Sequence, residues 1–515
     1  MVSIKRKLEN ETATKTLGQE LSLFARPGMV ICLYGDLGAG KTTLARALVQ
    51  ALSAQGENLE VPSPTFALLQ PYEDLRLCVH HYDLYRISDV DEAYELGLFD
   101  DLDERLTIIE WPQHLGDQLP ASRIDVCLAI KDDQRVATIS GFGAMETVIR
   151  RIELVTNFLS DGDWQNAQRS FLQGDASARR YERLTSDDGS SALLMDMPTA
   201  SDGPVIKDGK TYSQIAHIAE GIVVVAGVNK ELCRQGFSAP VSLQQDLSNG
   251  LMIIEDFGDQ VFGNLLNNGD DISQPMQVAT ELLAEMAILQ WPRSATMKGQ
   301  KDREVFDFDH GAYEMETSLL LDWFWPLVKG ENPDAKVRQQ FFEGWKNVFP
   351  LIETDHRVWV LRDFHSPNLI WLPERDGIGR VGLIDTQDCL MGHPAYDLVS
   401  MLQDARVDLP DGFEAKYYQY YCQLRQQQTD RFDKLAFDKP AFDAAYAVLG
   451  AQRATKILGI FARLYKRDGK PQYLRHIPRV SAALEKNLRH PALSELAAWY
   501  QRYLPTADRL ISENP

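Results

Sequence analysis

Apolar residues fill Met29 to Tyr34 without a break, as expected of a strand buried on both faces, and the pattern then changes period. Leu44, Ala47, Leu48 and Leu52 recur at helical spacing and predict a helix over Thr42 to Ala54, with a glycine-rich turn between strand and helix. Shorter apolar runs predict further strands at Leu77 to Tyr82, Thr107 to Ile109, Ile124 to Ile130 and Val136 to Ser140. This is an α/β layout of about 140 residues, closed by Gly141-Phe142-Gly143.

From Glu146 to Leu159 the period is helical again. Short strands follow at about Arg169 to Leu172, Tyr181 to Thr185 and Ala192 to Met195, then a helix over Tyr212 to Gln235 and a strand at Leu251 to Glu255. The remainder is mostly helical. A small β-rich lobe before a large helical one is the order of a bilobal kinase-like fold, so the chain divides into residues 1–145 and 146–515, with a small lobe at about 146–257 and a large lobe at about 258–515.

The turn after the first buried strand reads Gly35-Asp36-Leu37-Gly38-Ala39-Gly40-Lys41-Thr42-Thr43, a Walker A loop in the strand, loop, helix setting that such a loop needs. Its glycines let backbone N–H groups approach phosphates, Lys41 reaches the β and γ oxygens, and the Thr42 hydroxyl ligates magnesium. Gly35, Gly38, Gly40, Lys41, Thr42 and Thr43 form the expected nucleotide-binding set. The N-terminal part is therefore expected to be P-loop NTPase-like.

More than three hundred residues later, Asp363-Phe364-His365-Ser366-Pro367-Asn368 precedes Ile384-Asp385. In kinase-like phosphotransfer an Asp meets the substrate hydroxyl, an Asn five residues on holds one metal, and a downstream Asp holds the phosphate-bridging metal. Asp363, Asn368 and Asp385 have that spacing, and His365 is expected to hold the loop. The small-lobe strand Leu193-Leu194-Met195-Asp196 lacks the lysine usual there, leaving Arg179, Arg180 or Lys207 as candidate cations. Gly174 and Ser177 are expected over the phosphates, and Glu255 and Asp256 at the hinge. A P-loop and a kinase-like site hold ATP with different parts, so the chain carries two sites, both using ATP and Mg2+.

Ser63-Pro64-Thr65-Phe66, His81-Tyr82-Asp83-Leu84-Tyr85-Arg86 and Ile109-Glu110-Trp111 resemble the TsaE family of small ATPases in tRNA threonylcarbamoyladenosine synthesis, over nearly all of residues 1–145. The resemblance implies Thr65 in a nucleotide-sensing segment, Asp83 near magnesium, and Glu110 coordinating magnesium or positioning the attacking water. It also implies action beside TsaB- and TsaD-type subunits, with tRNA met only indirectly. The Asp363 loop, with Asp385-Thr386-Gln387-Asp388 and Pro394-Ala395-Tyr396-Asp397-Leu398, resembles the aminoglycoside phosphotransferase family. Together with Gly174-Asp175-Ala176-Ser177-Ala178-Arg179-Arg180-Tyr181 it is most similar to the AmgK group, implying an amino sugar phosphorylated at its anomeric hydroxyl in peptidoglycan recycling. The shared motif also fits kinases of aminoglycosides, choline or homoserine-like alcohols, and a nucleotide-regulated switch or pseudokinase sensor is a different class. Asp397 is read as a sugar or metal contact or as a tie to the catalytic loop.

Composition narrows the partners. The 515 residues carry a net charge of −21, and residues 1–145 hold 13 basic against 22 acidic side chains, so neither part offers the basic surface that direct nucleic-acid binding needs. Six cysteines without a CxxC pair fit a reducing compartment, the start of the chain lacks the apolar stretch of a secretory signal, and the most apolar run, Ile222 to Val228, is too short to span a bilayer. A cytoplasmic protein without a membrane partner is expected.

Overall fold

The computed structural model describes residues 1–131, 134–172, 179–198, 205–207, 209–218, 221–295, 303–431 and 436–510. The chain falls into two compact units, Met1–Asp196 and Met197–Pro515.

In the first unit Val2–Leu8 (β1) alternates inward Ile4 and Leu8 with outward charges, and Glu11–Phe24 (α1) follows, its N-terminus capped by the Asn10 side chain. The strands Val30–Tyr34 (β2), Leu69–Tyr72 (β3), Val79–Asp83 (β4), Leu106–Glu110 (β5), Arg123–Lys131 (β6) and Gln134–Phe142 (β7) complete a sheet with β1. Among the described residues its order is β1-β7-β6-β2-β5-β4-β3. β2 pairs parallel with both β5 and β6, and β4 parallel with β5. Central strands covered on both faces are apolar throughout, which is why Ile31, Cys32, Leu33, Ile108 and Ile109 are fully buried.

The helix Lys41–Ala51 (α2) leaves the C-terminal end of β2 and packs on α1, where Gly18 lets the two backbones close. A Cβ at Gly18 would stand 2.6 Å from the Leu44 carbonyl oxygen. Val90–Glu95 (α3) starts in a capping box of Asp89 and Glu92.

Met145–Ser160 (α4) leads into Gln168–Leu172 (β8), Arg180–Thr185 (β9) and Ser191–Asp196 (β10), which pair antiparallel in that order. These elements cluster with the P-loop part: Met145, Val148, Ile149 and Ile152 of α4 join the apolar core of the seven-stranded sheet, and polar contacts lie beside them. Arg169 binds Glu182 at 2.7 Å and approaches Glu20 of α1 at 3.8 Å, while the Thr156 hydroxyl of α4 donates to Glu20 at 3.0 Å. Arg180 donates to the Leu23 carbonyl at 3.2 Å and lies 3.6 Å from the centre of the Phe24 ring.

The second unit is mostly helical around one large aromatic core that includes Trp345, Trp359, Tyr396, Tyr417 and Tyr500. The segment expected as one helix over Tyr212 to Gln235 is two, Tyr212–Ile215 and Ile222–Arg234, and Gly221 before the second sits at φ 99°. Two short antiparallel pairs, Val358–Val360 with Leu390–Gly392 and Leu369–Trp371 with Val381–Leu383, carry the loops that bear Asp363 and Asp385. The long helix Lys439–Asp468 runs through this unit. No described helix is long and apolar enough to cross a membrane.

Candidate functional sites

Parallel pairing sets the first site. β4 and β5 are in register at Asp83 and Glu110, and β5 meets β2 at Leu33, so both acids stand at the C-terminal strand ends beside the P-loop. The loop requires its glycines: Gly35, Gly38 and Gly40 have φ of 143°, 78° and 106°, and a Cβ on Gly35 would meet the Leu128 carbonyl oxygen at 2.6 Å. Thr42 and Thr43 lie in the first turn of α2, where unpaired N–H groups face an anion.

Lys41 is buried, donates to the carbonyls of Gly35 at 2.7 Å and Asp36 at 3.1 Å, and stands 3.8 Å over the Trp111 ring. Burial lowers its pKa against the pull of Glu110, Asp83 and Asp36. The Thr42 hydroxyl donates to Glu110 Oε2 at 3.0 Å, and His81 Nε2 meets Glu110 Oε1 at 3.0 Å. Thr65 Oγ1 donates to Asp83 Oδ2 at 2.8 Å, and the Tyr85 backbone N–H donates to Oδ1 at 3.0 Å. Thr42, Asp83 and Glu110 are hard oxygen donors within one cluster, a set that fits Mg2+.

His81 escaped the sequence reading. Of the consecutive histidines on β4, alternation turns His81 fully inward, where Glu110 takes its ring nitrogen, while His80 stays half-buried. Trp111 is stacked against Lys41 and lies 4.9 Å from Tyr85, at a φ of 58°.

The second site is built on two strained turns. Arg362 has φ 68° and Asp385 φ 59°, conformations that cost a non-glycine residue about 1 to 3 kcal/mol each and persist only under outside restraint. At Arg362 the restraint is visible. The Asp397 carboxylate accepts the backbone N–H of Leu361 at 2.6 Å and of Arg362 at 3.0 Å, and Asp404 accepts both the N–H and the hydroxyl of Ser366, at 2.8 and 2.6 Å. Asp397 is thus the tie to the loop. Burial pushes its carboxyl up to about 7, against the two N–H groups.

Within the loop, His365 Nδ1 and the Asn368 amide both bond to the Asp363 carbonyl, at 2.8 and 3.0 Å. The Asn368 amide nitrogen is thereby used, leaving its carbonyl oxygen as an acceptor; Asp385 takes the Gln387 amide on Oδ1 at 3.0 Å. An amide oxygen and a carboxylate are again donors suited to Mg2+. Burial pushes the Asp363 carboxyl up, but His365, Lys456, Arg362 and Arg453 outweigh it and hold the pKa below the usual value. Arg362 and Lys456 are both paired with the fully buried Glu316, which Gln452 also binds at 2.8 Å. Glu316 and Asp404 had no signal in the sequence, lying tens of residues from the loop they support.

Asp397→Asn replaces one acceptor oxygen with an N–H donor aimed at another donor. It is expected to destabilise the fold by about 1 to 3 kcal/mol, as an unsatisfied buried group does, and to lower kcat. Thermal unfolding and phosphotransfer rates on the same sample check this.

Gly174 and Ser177 lie outside the described residues, as does the side chain of Lys207. Arg180 is described and fully engaged: besides Leu23 and Phe24 it binds Asp196, shared with Arg151 at 2.8 Å, and Glu182 at 3.1 Å. Glu255 is held by Arg375 at 2.5 Å, and Asp256 accepts the Gly258 N–H at 2.9 Å, an arrangement that folds the turn after the strand Leu251–Glu255.

A family model described as threonylcarbamoyl adenosine biosynthesis protein TsaE matches residues 8–137, and one described as phosphotransferase enzyme family matches residues 169–437. An N-acetylmuramate/N-acetylglucosamine kinase of Caulobacter vibrioides is 34% identical over 68% of this chain and 96% of its own. A protein of the same name from Neisseria meningitidis serogroup B is 29% identical over 64% of this chain and 88% of its own. The tRNA threonylcarbamoyladenosine biosynthesis protein TsaE of Rickettsia bellii is 37% identical over 26% of this chain and 92% of its own.

Proposed function

From a chain that belongs to the TsaE family in its N-terminal part and to the phosphotransferase enzyme family in its C-terminal part, we propose two Mg-ATP-dependent activities in one bifunctional enzyme. The first is ATP hydrolysis in support of tRNA threonylcarbamoyladenosine modification. The second is phosphorylation of the anomeric hydroxyl of N-acetylmuramate or N-acetylglucosamine, as in peptidoglycan recycling. The dividing line by function is residue 145, and a cytoplasmic setting follows from both activities. One observation supports the reading of the second site most: Asp397, Asp404 and Glu316 together hold the loop that carries Asp363 and Asn368, with Arg362 at a strained positive φ, as a site that must keep its catalytic groups fixed requires.

In the N-terminal site Lys41, the loop N–H groups and Thr42 bind the phosphates. Glu110, held between Thr42 and His81, orients the attacking water, and Asp83 transmits the state of the Thr65 segment. Phe66, 89% exposed beside Thr65, and Leu37, 80% exposed in the loop, give this face an apolar contact for TsaB- and TsaD-type subunits. Contact with tRNA is indirect, because the part is acidic.

In the C-terminal site Asp363 remains ionised, orients the sugar hydroxyl by accepting its hydrogen bond, and receives its proton as the phosphoryl group is transferred. Magnesium, when held by Asn368 and Asp385, neutralises charge on the phosphates.

The product is expected to be a sugar 1-phosphate. Incubation with ATP and either N-acetyl sugar, followed by phosphorus–carbon coupling in the NMR spectrum, places the phosphate. Coupling confined to the carbon 6 end of the ring would overturn the anomeric assignment, and no phosphorylated sugar at all would overturn the kinase reading.

A further inference from the structure

A cavity of about 1020 Å³ opens in the second unit between the Tyr212–Ile218 segment, the helix His310–Leu319 and the end of the helix Lys439–Asp468. Arg362, next to Asp363 in the chain, donates to the Ala216 carbonyl of the Tyr212–Ile218 segment that walls the cavity, at 3.0 Å. Tyr212 lines it and feels the charges of Glu316, Lys456, Arg362 and Arg463, and the same Lys456 and Arg362 act on Asp363.

The charges around this cavity are not all committed. Asp322 is paired with Arg338, Asp309 caps the helix through the Ala312 N–H at 2.8 Å and meets His217, and Arg467 binds Asp468 at 2.7 Å. Arg463 is different. Its Nε is buried without a hydrogen-bond partner, and no described carboxylate forms an ion pair with it; its guanidinium lies 5.3 Å from the Tyr212 ring centre. Lys210, exposed at the same cavity, is in no ion pair among the described residues either. In a chain of net charge −21, two uncommitted cations on one cavity fit an anionic ligand. A buried guanidinium nitrogen left unpaired costs free energy that a carboxylate recovers.

The helix sets the spacing. Gln452, Lys456 and Arg463 fall on one face of Lys439–Asp468; the first two hold Glu316 behind the catalytic loop, and Arg463 stands two turns on, about 10 Å along the axis. That is the scale of a hexose with an acidic side chain. N-acetylmuramate differs from N-acetylglucosamine by such a group, a lactyl ether carboxylate. Resting on the sugar-kinase reading above, we propose that Arg463 binds the carboxylate of an acidic N-acetyl sugar and so sets the preference between the charged and the neutral acceptor.

The test is steady-state kinetics on the full chain with each sugar in turn, for the wild type, Arg463→Gln and Arg463→Lys. The ratio of kcat/KM for N-acetylmuramate to kcat/KM for N-acetylglucosamine is expected to fall about 10-fold or more in Arg463→Gln, with the loss in KM, and to recover in part in Arg463→Lys. An unchanged ratio would overturn the assignment while the sugar-kinase reading stands. A rise in the KM for ATP with both sugars would overturn it in favour of a nucleotide contact. A wild type that phosphorylates neither sugar would remove the kinase reading and this inference with it.

Discussion

Asp363→Ala is expected to lower sugar phosphorylation by about 10²- to 10⁴-fold, the usual contribution of a positioned general base, and to leave ATP affinity at the C-terminal site within a few-fold of the wild type. The asymmetry follows from what surrounds the residue. Arg362 and Lys456 both keep their ion pairs with Glu316 when the carboxylate is gone, so the substitution removes the acceptor for the sugar hydroxyl while each of these cations keeps a direct partner. The carbonyl of residue 363, which holds His365 and Asn368, is backbone and survives the change. Turnover of both sugars and nucleotide titration of the same preparation decide the matter; a variant with more than half of wild-type turnover would remove Asp363 from the reaction.

Lys41→Ala is expected to weaken nucleotide binding at the N-terminal site by about 10- to 150-fold, the range for losing a charge-assisted hydrogen bond to phosphate, and to abolish sugar-independent phosphate release. Sugar phosphorylation, which uses Asp363, Asn368 and Asp385, should stay within about twofold of the wild type on the same ground of separate parts. Both rates can be read from one preparation, with and without sugar. A several-fold fall in sugar phosphorylation in a folded variant would instead mean that α2, which begins at Lys41, passes its state through α1 to Arg180.

What was legible in the sequence was local. The glycine spacing of the P-loop, the five-residue step from Asp363 to Asn368 and the apolar runs of β2, β5 and β6 are fixed by backbone geometry within a few residues. β1 escaped because Lys5, Arg6 and Lys7 mask an alternation in which only Ile4 and Leu8 face inward, and α1 because Thr14 and Gly18 share its buried face with leucines. His81, Asp404 and Glu316 escaped for another reason. Each is set by pairing across a distance, where a buried charge finds its partner only after the chain has folded, and no periodicity announces that. The helix expected through Tyr212 to Gln235 instead ends at Ile215 and begins again at Ile222, with His217 at φ 53° and Gly221 at φ 99° between the two.

The last turn of α1 bears on how the two activities could be inherited separately. A gene cut at residue 145 would encode every phosphotransfer group discussed, yet Arg169 and Arg180 would lose Glu20, the Leu23 carbonyl and the Phe24 ring as neighbours. A free-standing descendant of the C-terminal part would need substitutes on its own surface for those three, and a free-standing descendant of the N-terminal part would have to resolubilise the end of that helix. The seam of this fusion therefore runs through side chains, and selection on either activity is felt on both sides of it.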